Sequence, residues 1–152
     1  MRLGTLTRPE LIFPELQAAD RTQLLRVFAT RLMEQGVVSD AEELYQKLLE
    51  REQLGSTAIG SGIAIPHCKL KGLAKGLVAV GVAPDGVDFG AADGRPVRVF
   101  FLVISPSESP AEHLQMLAAI SRWVKVDGRV DKILALRDPQ AIYDFLSGEG
   151  GG

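Results

Sequence analysis

The feature of the sequence that most constrains the fold is a nearly continuous apolar run, VRVFFLVI, at residues 97–104. A strand that buries one face alternates apolar and polar residues, whereas a strand covered on both faces has an apolar run of this kind. A second run of this type, LVAVGV, occupies residues 77–82. The two runs predict central strands of a sheet that requires cover on both of its faces.

Four segments combine helix start signals with apolar residues at helical spacing. In the first three, a glutamine or glutamate follows the predicted cap by three residues, as in a capping box. The first helix is expected to stop at Gly36 and the second to run to about Arg51. In the third, Leu114, Leu117 and Val124 follow one another at helical spacing. The four predicted caps are Asp20, Ser39, Ser109 and Asp138.

Two shorter strands are also expected. One follows the glycine-rich stretch at residues 60–62 and ends at Pro66-His67, and a small edge strand is possible at residues 87–89. Alternation of helices and apolar strands predicts an α/β fold, a single-domain sandwich with a mixed, mostly buried β-sheet flanked by helices on both faces. The length favours one domain over residues 1–152, with a frayed glycine-rich tail at 148–152.

Composition excludes several classes of function. The formal net charge is −2, so there is no basic field to hold nucleic acid or an anionic membrane, and neither partner is expected. One cysteine and two histidines cannot supply a common structural zinc site, and neither a metal nor a cofactor is expected. No window approaches the roughly 18 apolar residues of a membrane span. We expect a cytoplasmic protein.

The two histidines are the main candidates for chemistry. His67 follows Pro66, which ends a strand ladder, and a strand end can present a rigid imidazole; the alternative is a ring satisfied by a backbone carbonyl. His113 falls in the first turn of the third helix, where the helix dipole disfavours protonation, or it is an ordinary half-exposed helix residue. Cys68 cannot form a dyad with its neighbour, because adjacent side chains of an extended chain point apart.

Phosphate-binding donors cluster just upstream of His67. The motifs of P-loops, serine hydrolases, zinc proteases and dinucleotide-binding folds are missing from the sequence. An arginine fork, hydroxyls and backbone N–H groups can hold phosphate without those motifs. The candidates are Arg51, Ser56, Thr57 and the backbone of residues 60–62.

These residues carry a family resemblance. Residues 51–67 read RE-x-x-x-ST-x-x-G-x-GIAIPH, and a second histidine, His113, heads a later helix. This arrangement resembles the enzyme IIA domain of the mannitol, fructose and nitrogen-regulatory class of the bacterial phosphoenolpyruvate-dependent sugar phosphotransferase system. The resemblance covers about residues 6–146, and it departs from the family at Cys68, where glycine is common.

The resemblance implies a role for each candidate. His67 would accept a phosphoryl group from the histidine-containing phosphocarrier protein and pass it to an enzyme IIB domain. Arg51 would bind the phosphoryl oxygens or orient a partner's carboxylate, and His113 would donate a hydrogen bond to the phosphoryl group or to the first imidazole. Ser56 and Thr57 could add hydroxyl donors, or they could simply cap the loop.

The sequence alone leaves several functions open. A phosphohistidine carrier of the nitrogen-regulatory type is slightly favoured, and a fructose or mannitol uptake subunit is the first alternative. The second is a regulatory interaction protein without onward transfer. A histidine-based hydrolase is disfavoured, because no nucleophile or orienting carboxylate accompanies the histidine.

A docking rim is expected around the histidine, since transient partners approach closely. The candidate apolar residues are Leu70, Leu73 and Phe89. The adjoining basic residues are Lys69, Lys71 and Lys75.

Overall fold

The structure, a computed structural model, describes residues 1–148. Two 3-10 turns, Leu3–Thr5 and Pro9–Leu11, begin the described chain. The strands are β1 (Ile12–Phe13), β2 (Ala58–Gly60), β3 (Ile63–Ala64), β4 (His67–Leu70), β5 (Leu77–Val87) and β6 (Val97–Pro106). The helices are α1 (Arg21–Glu34), α2 (Ala41–Gln53), α3 (Pro110–Val124), α4 (Arg129–Ala135) and α5 (Pro139–Gly148).

The strands form a six-stranded mixed sheet with β6 at its centre. β6 runs antiparallel to β5 on one side, and parallel to both β3 and β4 on the other. β1 extends the sheet beyond β5, and β2 pairs with β3 at the opposite edge. The two apolar runs are therefore the central strands, as predicted.

Alternate residues of β6 enter two different cores. Phe100, Leu102 and Ile104 pack with α1 and α2 on one face of the sheet. Val99, Phe101 and Val103 pack with α3, α4 and α5 on the other. These β6 residues are all fully buried. The predicted α/β sandwich, with helices on both faces of a mostly buried sheet, is confirmed.

The helix caps agree with the sequence in part. Asp20 caps α1 by accepting from the backbone N–H of Gln23 at 2.9 Å, as predicted. The predicted Ser39 cap of α2 is wrong by one residue: Asp40 accepts from the N–H of Glu43 at 3.1 Å. Both positions precede a glutamate by three residues, and the carboxylate is the one that forms the cap. Asp138 caps α5 as predicted, accepting from Ala141 at 2.9 Å.

Helix α3 differs most from expectation. Ser109 stands at its N-cap position but makes no side-chain capping bond, and Glu112 accepts instead from the N–H of Gly76 at 2.9 Å. Leu114, expected within the apolar stripe, is 67% exposed. The buried face of the helix is formed by His113, Met116, Ala119, Ile120, Trp123 and Val124.

Four local expectations need correction. The short strand does not end at His67, which is instead the first residue of β4 and pairs with Val103. Pro66 separates β3 from β4 because it has no N–H for the ladder. The possible edge strand at residues 87–89 is wrong: Val87 ends β5 and Phe89 is a fully buried core residue. Helix α4 was not predicted. Gly148, placed in the expected tail, ends α5, and residues 149–152 lie outside the described residues.

Candidate functional site

His67, His113 and Arg51 lie together at an open depression of about 670 Å³. Three elements bring them there: β4, the first turn of α3 and the last turn of α2. Helix α2 packs directly against β4, and β4 pairs with β6, which leads into α3. The other lining residues are Lys47, Glu50, Gln53, Leu54, Cys68, Lys69, Leu114 and Leu117.

The imidazole of His67 has two different hydrogen-bond partners. Its Nδ1 lies 2.8 Å from the carbonyl oxygen of Ile65, which only accepts, so Nδ1 carries the proton. Its Nε2 lies 3.1 Å from Nε of Arg51, which only donates. His67 is therefore in the Nδ1–H tautomer, with the Nε2 lone pair directed at Arg51.

Arg51 is held at two points. Besides its Nε–H bond to His67, its Nη1 donates to the carbonyl oxygen of Gly55 at 2.9 Å. The planar guanidinium is therefore oriented from both the strand and the loop that follows α2. A planar fork of N–H donors in this position suits phosphoryl oxygens.

His113 is 5% exposed and faces the first histidine. The two ring centroids lie 5.3 Å apart, with the ring planes inclined at 60°. Nδ1 of His113 is hydrogen-bonded to Oγ of Ser105, a fully buried residue of β6. The sequence analysis missed Ser105, because its partner is known only once β6 and α3 are packed.

Both histidines are neutral at neutral pH. Burial lowers the pKa of His67, Arg51 and Lys69 lower it further, and its bond to Ile65 acts in the opposite direction. Burial, His67 and Lys69 together lower the pKa of His113 to about 4. A neutral imidazole retains a lone pair, which a nucleophile requires.

Ser56 and Thr57 do not line the depression. Both the backbone N–H and the hydroxyl of Thr57 donate to the buried carboxylate of Glu52, each at 2.7 Å. Burial raises the pKa of that carboxyl group. The Ser56 hydroxyl donates to the carbonyl of Phe89 at 2.5 Å and accepts from Ala58 N–H at 3.0 Å. These bonds brace the loop after Arg51.

The backbone of residues 60–62 also lies away from the histidines. It forms the turn of the β2–β3 hairpin, where Ser61 and Gly62 both have positive φ, 57° and 79°. The N–H of Ser61 donates to Asp93 at 2.9 Å. Of the donors expected upstream of His67, the structure brings only Arg51 to the imidazole.

The apolar residues beside the histidines are not those expected. Leu70 and Phe89 are buried and Leu73 is half-buried, so the predicted docking rim is wrong for the first two. Leu70 lies on the face of β4 opposite His67 and packs among α1 and α2. The exposed apolar residues at the depression are Leu54 and Leu114, at 84% and 67% exposure.

Cys68 alternates with His67 along β4 and packs into the core beneath α1 and α2. It is 6% exposed, and burial raises the pKa of its thiol to about 12. A thiol with such a pKa is not a nucleophile at neutral pH.

Two further features bear on what the chain can do. Among residues 1–148, no three His, Cys, Asp or Glu side chains come together in a way that could hold a metal ion. Within the same residues, no helix has the length and apolar character needed to cross a membrane.

The chain matches the family described as phosphoenolpyruvate-dependent sugar phosphotransferase system, EIIA 2, over residues 5–149. It is 39% identical to a nitrogen regulatory protein of Bradyrhizobium diazoefficiens, over 97% of this chain and 95% of that protein. It is 32% identical to the PTS system fructose-specific EIIA component of Haloferax volcanii, over 95% of this chain and 94% of that one.

The fold resembles solved structures over nearly the whole chain. The nitrogen regulatory protein IIA-Ntr from Neisseria meningitidis superposes with a TM-score of 0.86 at 23% identity, covering 94% of this chain and 97% of that one. Enzyme IIAMtl, in its complex with phosphorylated enzyme IIBMtl from Escherichia coli, superposes with a TM-score of 0.79 at 23% identity. That match covers 95% of this chain and all of the other.

Proposed function

The chain belongs to the phosphoenolpyruvate-dependent sugar phosphotransferase system EIIA 2 family, and from this membership we propose that His67 is the residue that carries its phosphoryl group. Domains of this family are phosphotransferase components that carry phosphohistidine, so the chain is such a component. The observation that supports His67 is its geometry. It lines an open depression, its Nε2 lone pair accepts a hydrogen bond from an anchored arginine, and a second imidazole lies beside it.

The nucleophile we propose is Nε2 of His67. Its lone pair attacks phosphorus of the phosphohistidine on the donor protein, and the Nε2–P bond forms as the donor's N–P bond breaks. The electron pair of the broken bond returns to the donor imidazole. The proton of His67 stays on Nδ1 throughout and is donated to the Ile65 carbonyl, because attack uses the other ring nitrogen. No proton has to leave His67 before attack.

Charge stabilisation falls to Arg51 and His113. Phosphoryl transfer proceeds through a loose, in-line transition state with charge spread over the oxygens of the transferred group. As phosphorus reaches Nε2, the Arg51 guanidinium leaves the lone pair and donates to those oxygens, with Gly55 still anchoring its other edge. His113, whose ring centroid lies 5.3 Å from that of His67, donates an N–H to the same oxygens from α3.

The donor we propose is the histidine-containing phosphocarrier protein. EIIA domains pass a phosphoryl group on to EIIB partners, and a related EIIA domain has been solved in complex with a phosphorylated EIIB. Leu54 and Leu114 are exposed beside His67 and provide apolar contact area for partners that dock and leave. Donor and recipient would use this one surface in turn.

A nitrogen-regulatory role is the form of the function that we favour. The relative at 39% identity is a nitrogen regulatory protein. The second candidate is sugar uptake, supported by the fructose-specific relative at 32% identity. A third role, regulatory binding without onward transfer, uses the same phosphorylated state, since phosphorylation adds about −1.5 to −2 charge at His67 and can switch partner binding.

The first experiment tests the acceptor. The chain is incubated with phosphoenolpyruvate, enzyme I and the phosphocarrier, and its intact mass is measured. We expect the mass of one phosphoryl group, lost in acid and missing from His67→Gln. His113→Gln is the matched control and should still accept the group, more slowly. An unmodified wild-type chain, or a modified His67→Gln, would overturn the proposal.

A second experiment separates the roles. The phosphorylated chain is mixed with a fructose-specific EIIB domain, and the phosphoryl group is followed by mass. Rapid transfer supports sugar uptake. Retention on this chain supports a regulatory role.

A further inference from the structure

Ser105 has no part in the mechanism described so far, although it is the side chain directly behind the second histidine. It lies in β6, is fully buried, and pairs across the sheet with Lys69, two residues beyond His67. Val99, Phe101 and Val103 of the same strand point toward α3, and Ser105 continues this alternation. Its hydroxyl therefore reaches the first turn of α3, where it meets Nδ1 of His113.

The direction of this hydrogen bond follows from burial. A serine hydroxyl can donate or accept, and so can Nδ1 of a neutral imidazole. In the described part of the chain, Nδ1 of His113 is the one partner of the Ser105 hydroxyl. If Nδ1–H donated, the hydroxyl proton would be buried without an acceptor, which is costly. The favoured arrangement has Ser105 donating to Nδ1.

The hydrogen bond from Ser105 determines the protonation of Nε2, the other ring nitrogen of His113. Because His113 is neutral, it carries one ring proton, and acceptance at Nδ1 places that proton on Nε2. Nε2 lies on the edge of the ring remote from Ser105, and His113 lines the depression together with His67. In the other tautomer, Nε2 would turn a lone pair toward the negative oxygens of a phosphoryl group.

We propose that Ser105 is a positioning residue that holds His113 in its Nε2–H tautomer, so that His113 donates to the phosphoryl group on His67. This inference rests on the proposed function of His67. Ser105 touches no reacting atom and acts only through the imidazole.

The test begins with the unphosphorylated protein. The tautomer of His113 is read from long-range ¹⁵N–¹H correlations of the ring, at a pH near neutrality. We expect Nε2–H in the wild type and in Ser105→Thr, which keeps the hydroxyl. In Ser105→Ala we expect an increased Nδ1–H population. A wild-type ring protonated on Nδ1, or an unchanged ring in Ser105→Ala, would overturn the proposal.

The second arm measures transfer. With the phosphocarrier as donor, we expect kcat to fall about 10-fold to 100-fold in Ser105→Ala, the loss typical of one hydrogen bond to a charged group. KM for the donor should stay unchanged, and Ser105→Thr should restore kcat. Ser107→Ala, the same substitution two residues along the chain, is the matched control and should behave as wild type.

The outcomes separate the two proposals. If His67 takes up no phosphoryl group, the proposed function fails, and the tautomer measurement still reports on Ser105. If transfer by Ser105→Ala is normal although the tautomer has changed, the role of Ser105 in transfer is rejected and His67 keeps its function. If Ser105→Thr does not fold, restoration is sought instead with Ser105→Cys, whose weaker S–H donor should recover the tautomer only in part.

Discussion

Nε of Arg51 lies 3.1 Å from Nε2 of His67, so in the unphosphorylated protein a guanidinium N–H occupies the lone pair that we propose attacks phosphorus. The same guanidinium bonds Gly55 through Nη1. On that proposal, the arginine would orient the imidazole for attack and would release Nε2 as the phosphoryl group arrives. The released guanidinium would then be close enough to donate to the phosphoryl oxygens.

Substitutions of Arg51 test this relationship. Arg51→Lys keeps the charge but cannot contact both Gly55 and the reacting group through a planar fork, and we expect transfer to slow about 10-fold to 100-fold. Arg51→Ala should slow it at least as much. Since Arg51 lowers the pKa of His67, its removal should raise that pKa. Rapid-quench transfer kinetics and an NMR pH titration of the ring measure the two effects.

Unchanged kinetics in Arg51→Ala would contradict the role of the guanidinium. Lys47→Ala removes a cation from the same depression without touching His67 Nε2, and it serves as the control for a general effect of charge.

Stability toward acid should depend on His113. Burial, His67 and Lys69 lower its pKa from 6.5 to about 4, so between these values the unfolded chain binds a proton that the folded chain does not. This contribution to the free energy of unfolding is fully present above pH 6.5 and is lost as the pH falls toward 4. Its size is about 3 kcal/mol at about 1.4 kcal/mol per pH unit.

His113→Gln provides the comparison, because glutamine does not titrate. Urea unfolding of both proteins is measured from about pH 7.5, above the usual histidine pKa, down to about pH 4, the pKa of His113 in the folded protein. The wild type should lose stability relative to the variant as the pH falls. His67 is present in both and largely cancels from the difference. Parallel curves would contradict this prediction, because they would show that folding does not change the pKa of His113.

The sequence predicted those parts of the fold that a segment encodes by itself. Residues 97–104 of β6 are apolar throughout because both faces of the strand are covered, and no partner had to be known to see this. The cap of α2 was misplaced because Ser39 and Asp40 each precede a glutamate by three residues. Helix α4 was not predicted, because its seven residues are too few to show a helical periodicity.

The site was predictable where it rests on a motif and not where it rests on packing. His67, Arg51 and His113 came from their sequence pattern, and the structure brings them together. Ser105 meets His113 only through the packing of α3 on β6, which leaves no local signal. Leu114 was read as part of an apolar stripe because periodicity does not distinguish a core leucine from one exposed beside a site.

The thiol of Cys68 should be inert in the folded protein. Burial raises the pKa of this thiol to about 12. At about pH 8, near the pKa of an ordinary thiol, we therefore expect almost no reaction with an aromatic disulfide reagent until urea unfolds the chain. Cys68→Ala should keep phosphoryl acceptance within about twofold and cost about 1 kcal/mol of stability, since it empties a small buried volume. Rapid modification of the folded protein, with loss of acceptance, would contradict this prediction and show that the thiol is accessible at the depression.

Docking of the phosphocarrier should depend on Leu54 and Leu114. Their side chains are 84% and 67% exposed, so replacing either with serine should change the free energy of unfolding by less than about 1 kcal/mol. In a complex they would be desolvated beside His67, and we expect KM for the phosphocarrier to rise about tenfold while kcat changes little. Single-turnover transfer measured over a range of donor concentrations separates the two constants.

Val126→Ser is the matched control for these leucines. Val126 is 49% exposed and lies just beyond the C-terminal end of α3, whereas Leu114 lies near the N-terminal end of that helix. At about 1.5 Å per residue, the helix from Leu114 to Val124 alone spans about 15 Å. It lines a different depression, beside the β2–β3 hairpin, so its replacement should leave KM unchanged. Equal effects at all three positions would mean that loss of exposed apolar surface acts nonspecifically. A raised KM in the two leucine variants alone would identify the surface around His67 as the one that the donor protein contacts.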